Sequence, residues 1–441
     1  MYDERIVTPM RQELTRLGVE EMRTPEEVDA KLKNLKGTAL IVVNSVCGCA
    51  ARNARPAIAQ ALQHPVKPDK LTTVFAGQDA EAVQRVADQR RVCRRVALVE
   101  AGRRVVVVVA TARRGVALTN VEDLIRYRVA VVGVGHLGKH HARILSSLPG
   151  VDLVAVVDTN RPRAEEIAAA HGTKPASDYR ELLGLVDAVT LAVPTERHCE
   201  IALALFEARV PVLVEKPMAR SLAEADAMIA AAAKAGVAFG VGQTERFNPA
   251  VEAARPLLTD PRFVEVHRLG TFPERSLDID VVFDLMIHDL DVVLSIVKSE
   301  VESIEAVGVP VLTGRVDIAN ARLRFANGCI VNLTASRISR DRVRKIRFFQ
   351  PAAYLSIDYA AQKIAQWTLV KGDGPTPSIQ AGDVAVVNEE PLKRELADFV
   401  DAVVSGRKPL VTGEQGRRAL AVAQAITDRI NATMHQRTNA H

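Results

Sequence analysis

The chain has 441 residues, 48% hydrophobic, 25% charged and 4% aromatic, a soluble globular composition long enough for about three domains. Its 58 basic and 53 acidic side chains leave a formal net charge of +5, too small at this size for the electrostatic footprint of a dedicated nucleic-acid binder. No apolar run approaches the ~20 residues of a membrane span, MYDERIVTPM does not read as a signal peptide, and five cysteines are too few for a disulfide scaffold, so the cytoplasm is the expected compartment.

Residues 1–88 form the first part. Thr8-Pro9 is expected to open one helix. Thr24-Pro25-Glu26-Glu27 is expected to open a second, with Thr24 as N-cap, Pro25 at the first helical position and Glu27 placed for a capping box. Ala39–Val43 and Leu71–Phe75 read as strands. Between them, Cys47-Gly48-Cys49 stands at the head of a helix-like stretch from Ala50, where a helix N-terminus favours the thiolate.

Residues 89–125 have another texture, with four Arg-Arg pairs and the run Val105–Val109. One strand at Val105–Ala110, flanked by solvated arginines, is the expectation there. Cys93 lies in this stretch, whereas Cys199 and Cys329 sit in patterns that read as core.

Residues 126–245 alternate strand and helix. Strands are expected at Arg128–Val132, Leu153–Val157, Ala188–Val193, Val212–Val214 and Ala238–Val241, which implies a parallel doubly wound sheet. Residues 246–441 read as an α+β domain with a mainly antiparallel sheet, including Phe263–Arg268, Val301–Val307, Asp317–Phe325 and Cys329–Ser336. Helices Glu390–Ser405 and Gly413–Asn431 close the chain.

The strongest local signal is RVAVVGVGHLGKHHARIL. Gly133, Gly135 and Gly138 form G-x-G-x-x-G between an apolar strand and an amphipathic helix, the arrangement that lets a backbone approach a pyrophosphate at a helix N-terminus. Asp158 ends the next strand, 20 residues beyond Gly138, and a carboxylate there binds ribose hydroxyls and repels a 2′-phosphate. NAD is therefore expected over NADP, with Arg161 and Arg163 placed to offset that preference in part.

Three later clusters carry chemistry. Glu215-Lys216-Pro217 ends a parallel strand, where ligands sit in an open α/β sheet. Arg246 and Asn248 follow the last parallel strand and suit binding of hydroxyls or phosphate. On one regular helix, Asp284, His288 and Asp291 fall at i, i+4 and i+7 and share a face. His288 suits proton transfer near neutral pH, with Asp284 in support. No metal is expected, because no three or four ligands cluster.

GVGHLGKHHA, AVPTERH, VEKPMA, GQTERFNP and DLMIHDLD occur in that order and resemble the glucose–fructose oxidoreductase / inositol dehydrogenase / MocA family over about residues 127–431. The resemblance implies a Rossmann domain followed by a large open sheet used for homo-oligomerisation, and hydride transfer between a nicotinamide and a sugar or cyclitol carbon. It places Lys216, Asp284 and His288 as catalytic residues. Gly133, Gly135, His136, Leu137, Gly138, Asp158, Pro194, Thr195 and Glu215 would hold the cofactor, and Arg246, Asn248 and Asp291 the substrate.

DIDVVFDLMIHDLD, GVPVLTGRVDIANARLRFANGCIVNLTASR and RKIRFFQPAAYLSIDY are similar to the UDP-N-acetylglucosamine 3-dehydrogenases. That group oxidises the sugar 3-hydroxyl to a ketone, which a partner aminotransferase converts to an amine for lipid A assembly. Other sugars or cyclitols, and a non-catalytic sugar sensor on the same fold, are the alternatives.

TPMRQELTRLGVEEMRTPEEVD, VNSVCGCAARNARP and VFAGQD resemble the bacilliredoxins, thioredoxin-fold proteins that act on mixed disulfides. The resemblance makes Cys47 the nucleophile and Cys49 the resolving thiol. It covers only residues 1–88, and the proline-bearing loop opposite the cysteines is missing, because no proline occurs between Pro68 and Pro149. Arg/Val-rich sequence is also what a GC-rich coding region gives out of frame. An incomplete bacilliredoxin fused to a dehydrogenase, natively or through a frameshift, is the expectation.

Overall fold

The computed structural model describes residues 3–32, 38–44, 70–75, 78–82, 85, 91–93, 107–114, 127–272, 279–370 and 378–438. Two compact units result, the first built mainly from residues 1–127 and the second holding nearly all of the rest.

In the first unit the opening helix spans Glu4–Thr15, earlier than the Thr8-Pro9 signal implied. Asp3 caps it, accepting from the Arg5 amide at 2.9 Å, so Pro9 lies inside the helix. The second helix, Pro25–Leu32, has Thr24 Oγ accepting from the Glu27 amide at 3.3 Å, while the Glu27 carboxylate reaches the amide of Arg23 at 2.6 Å. Five strands form one sheet in the order Glu20–Glu21, Lys70–Phe75, Thr38–Asn44, Val107–Arg114, Arg91–Cys93. The Arg/Val-rich stretch thus contributes two strands, and the strand expected at 105–110 runs instead over Val107–Arg114, antiparallel to Thr38–Asn44. Cys47, Cys49 and the helix-like stretch after them lie outside the described residues.

The second unit contains two sheets. The six-stranded one is parallel, in the order Phe239–Gly242, Val212–Glu215, Ala188–Leu191, Tyr127–Val132, Val151–Val157, Lys174–Ala176, the doubly wound order of dinucleotide-binding folds. Its central strands Ala188–Leu191 and Val212–Glu215 are buried at every position and apolar but for Thr190 and Glu215, as helices on both faces require. Ser221 caps the helix Leu222–Ala235, and Gly236 ends it at φ 69°.

The eight-stranded sheet runs Val301–Val309, Ile318–Phe325, Ile330–Ser336, Phe263–Leu269, Val343–Gln350, Ala353–Asp358, Lys363–Val370, Ser378–Val384. Only Phe263–Leu269 with Ile330–Ser336 is a parallel pair. The last four strands extend the sheet beyond those singled out in the sequence. Alternate residues such as Val264, Val266, Leu323, Ile346 and Phe348 turn inward onto the helices Ile287–Ile296 and Gly413–Thr438. On the opposite face Phe263, Phe349, Tyr354 and Trp367 stack as a ladder, with successive ring centroids 5.4, 4.8 and 4.7 Å apart.

The segment expected as one regular helix is a π-turn over Val282–Met286 followed by the α-helix Ile287–Ile296. A π-turn inserts a residue into the ladder, so the even i, i+4, i+7 face does not form. Among the described residues, no helix is long and apolar enough to cross a membrane.

One buried ion pair fixes the approach to this turn. Asp317 accepts from the amides of Val311, Leu312 and Thr313 and from Arg337 Nε at 2.9 Å, and Arg337 also donates to the Ile279 carbonyl. Burial opposes the Asp317 charge, but these donors outweigh it and hold its pKa far below the usual carboxylate range. Asp317→Ala should leave the Arg337 charge buried and destabilise by about 3–5 kcal/mol, measured by chemical denaturation.

Candidate active site

Packing demands two of the three glycines, and the third borders open space. Gly133 has φ +85°, and a Cβ there would lie 2.6 Å from the Ala192 carbonyl oxygen; one on Gly138 would lie 1.7 Å from the Gly133 oxygen. A Cβ on Gly135 would meet nothing within 4 Å. Gly135 and His136 are exposed beside the N-terminus of the helix Gly138–Leu145, with Leu137 half-buried. This open backbone edge fits a pyrophosphate.

Asp158 is held against the same loop. Its carboxylate accepts from the amides of Val134 at 3.0 Å and Asn160 at 2.9 Å. Arg161 pairs with Glu165 at 2.9 Å and Arg163 with Glu166 at 2.7 Å, so each arginine is already matched on its own helix. Pro194 is exposed and Thr195 half-buried at a short turn after the fourth strand.

Glu215 differs from expectation. It is 6% exposed and faces inward, bonded to His141 Nε2 at 3.0 Å and to the Lys216 amide at 3.1 Å. Burial raises its pKa, but His141 more than offsets this and lowers it. Glu395, on the helix Pro391–Ser405, is the counterpart. Burial first and the Glu215 charge second push its carboxyl well up. Glu215 is therefore turned inward, its oxygens engaged inside the protein.

Lys216 emerges from the end of its strand, and its Nζ donates to the Asp284 carbonyl at 2.7 Å and to the Asp284 carboxylate at 3.3 Å. Asp284 thus supports the lysine, not the histidine, because the π-turn carries it toward the end of the parallel sheet. His288 has no hydrogen-bond partner among the described residues, and its Nδ1 is buried and unpaired. Burial lowers its pKa well below the usual value, helped by the charges of Lys216, Arg268 and Arg344, so the imidazole is neutral.

Arg246, Asn248 and Asp291, expected to touch substrate, are 3%, 2% and 2% exposed. Arg246 pairs with Asp291 at 3.3 Å, and burial pushes the Asp291 carboxyl up to about 6 against that pull. Asn248 donates to the Tyr359 carbonyl at 3.0 Å and caps the helix Pro249–Ala254. All three are engaged inside the protein.

Sequence reading missed Arg268, which grips Asp289 through two bonds of 2.6 and 2.9 Å and Glu245 through one of 3.0 Å. The signal was present: an arginine stands at an inward position of Phe263–Leu269, where Val264 and Val266 precede it. Among the described residues, no three metal-ligating side chains cluster.

A model described as "Oxidoreductase family, NAD-binding Rossmann fold" matches residues 127–243, and one described as "GFO/IDH/MocA C-terminal domain" matches 259–350. A UDP-N-acetylglucosamine 3-dehydrogenase of Acidithiobacillus ferrooxidans is 35% identical over 315 residues, 71% of this chain and all of that protein. A solved structure of the 3-dehydrogenase from that organism superposes with a TM-score of 0.67, covering 70% of this chain and 98% of that one. A levoglucosan dehydrogenase in complex with NADH and levoglucosan, 19% identical, shares the fold with a TM-score of 0.64, covering 70% of this chain and 98% of that one. At the N-terminus, a "Disulphide isomerase" model matches residues 2–115. A bacilliredoxin of Koribacter versatilis is 54% identical over 85 residues, 19% of this chain, which spans 59% of that protein's length.

The three glycines should behave differently on substitution. Gly138→Ala should collapse the melting temperature through its backbone clash. Gly135→Ala should melt normally yet lose dinucleotide affinity, as read by parallel melts and fluorescence titration.

Proposed function

Because the chain belongs to the GFO/IDH/MocA oxidoreductase family, we propose that it is an NAD-dependent dehydrogenase that oxidises a ring hydroxyl of a nucleotide sugar, UDP-N-acetylglucosamine at its 3-position. The observation that carries this reading is a neutral, unpartnered His288 in the field of Lys216, itself anchored by Asp284. The full-length likeness to a UDP-N-acetylglucosamine 3-dehydrogenase supports the choice of substrate.

The residues divide the work. NAD, when bound, supplies the hydride acceptor. Gly135 leaves room for its pyrophosphate, and Asp158 meets its adenosine ribose. His288 Nε2 takes the hydroxyl proton, since its Nδ1 is buried. Lys216 stabilises the developing alkoxide by charge, and Asp284 fixes the ammonium in place. Asp291 and Arg246 hold the helix from below.

The aromatic ladder on the open face of the large sheet supports a homo-oligomer that covers it. A 3-keto sugar is a substrate for an aminotransferase, the proposed downstream partner. Cofactor and substrate are both soluble metabolites, which fits operation in the cytoplasm. We read the bacilliredoxin-like unit as extending past residue 88 to take in the strands Arg91–Cys93 and Val107–Arg114, and as dispensable for dehydrogenation.

NADH formation from a panel of UDP-sugars, with inositol and glucose as controls, tests the assignment, and UDP-N-acetylglucosamine should lead. His288→Ala and Lys216→Ala should each lower kcat by about 10²–10⁴-fold with melting temperature and NAD affinity retained. A base must be unprotonated to act. With its pKa depressed, His288 should sustain kcat/KM at neutral pH and lose it only as pH falls through a value below that of ordinary histidine.

NAD should bind more tightly than NADP, because a 2′-phosphate would meet the Asp158 carboxylate. Asp158→Ser should narrow that preference in competitive titrations. A chain beginning at Val121 should retain turnover, with its rate compared directly to the full length.

A further inference from the structure

The inner face of the eight-stranded sheet ends beside the helix Ile287–Ile296 in two arginines. The antiparallel register sets Arg268 directly opposite Arg344. Both lie on the side of the alternation that buries Val266, Ile346 and Phe348. Directly opposed residues have Cβ atoms roughly 5 Å apart, and like charges so placed repel.

The two arginines are treated differently. Arg268 is neutralised by Asp289 and Glu245 through three bonds. Arg344 is exposed, and its side chain makes no hydrogen bond or ion pair among the described residues. The neighbouring carboxylates are already engaged: Glu245 and Asp289 by Arg268, and Asp284 by Lys216. The Arg344 charge reaches His288, where it helps hold the imidazole neutral. Desolvation and the Arg268 charge both act against the Arg344 cation, so it gains by meeting an anion. Arg342 lies two residues away at the same end of the sheet, donating to Thr271 Oγ at 3.2 Å.

We propose that Arg344 is a substrate-binding residue that recognises the diphosphate of a nucleotide sugar and so sets the sugar ring against His288. This rests on the nucleotide-sugar reading above. A guanidinium fork matches adjacent phosphate oxygens, and its position across from Arg268 puts that contact one strand away from the residue that anchors the His288 helix.

Calorimetric titration of the NAD-loaded full chain with UDP tests this directly. Arg344→Ala should weaken UDP binding by about 10- to 100-fold, the loss typical of a hydrogen-bonded charged contact, and Arg344→Lys should recover part of it. In kinetics, KM for UDP-N-acetylglucosamine should rise by a similar factor with kcat little changed, while KM for free N-acetylglucosamine stays put. Unchanged UDP affinity in Arg344→Ala overturns the proposal, even if the unmodified enzyme oxidises the UDP-sugar. Loss of UDP affinity in that variant supports it. If the unmodified protein bound UDP yet failed to oxidise UDP-N-acetylglucosamine, the substrate reading would fall while the diphosphate site stood.

Discussion

The reactive end of the second unit depends on one buried guanidinium. Arg268 is 4% exposed, lies 5.1 Å from the Tyr359 ring centre and is clamped by both oxygens of Asp289 and one of Glu245. Removing a charge from water costs several kcal/mol unless its donors are matched, and this geometry matches them. Asp289 directly follows His288 in sequence, so the clamp locks the start of the helix Ile287–Ile296 to the sheet and fixes the direction of the imidazole. Glu245 ties the segment leaving the last parallel strand to the same point. One residue thus sets the relation between the end of the parallel sheet and the helix carrying His288.

Around that clamp, the site sorts its charged groups by partner. Lys216 has Asp284, Arg246 has Asp291 and Glu215 has His141. The last two pairings turn Arg246 and Glu215 inward, away from any ligand, while the first holds the Lys216 ammonium in place. His288 is left without a side-chain partner and with a lowered pKa, the condition the proposed proton acceptor requires. The π-turn at Val282–Met286 makes this sorting possible, because it swings Asp284 to the lysine and leaves the histidine alone.

The two sheets divide the labour along lines their sequences impose. The central parallel strands are largely apolar and buried, and the glycine-rich loop stands at their ends. The antiparallel sheet alternates, with one face packed on helices and the other presenting an aromatic ladder. In the first unit, strands from the Arg/Val-rich stretch complete a sheet that the bacilliredoxin-like segment begins.

Local sequence determined much of this protein. G-x-G-x-x-G after an apolar strand, Asp158 at the end of the next, and E-K-P at a strand terminus were legible because each depends on neighbours a few residues away. The five expected Rossmann strands moved by only a residue or two at their ends, since buried apolar runs mark themselves, whereas the short edge strand Lys174–Ala176 carries no such run and went unmarked. The partners of polar side chains were not legible. Asp284 was expected to support His288 from regular helical spacing, but the π-turn altered that spacing, and no periodicity argument contains it. Arg246, Asn248, Asp291 and Glu215 carry ligand-binding chemistry in the sequence, and burial turned them inward. Which cation meets which carboxylate is a long-range matter, as when Arg268 meets Asp289 across 21 residues and Lys216 meets Asp284 across 68. Only the folded chain brings such groups within bonding distance, so only the tertiary structure decided which groups remained free for chemistry.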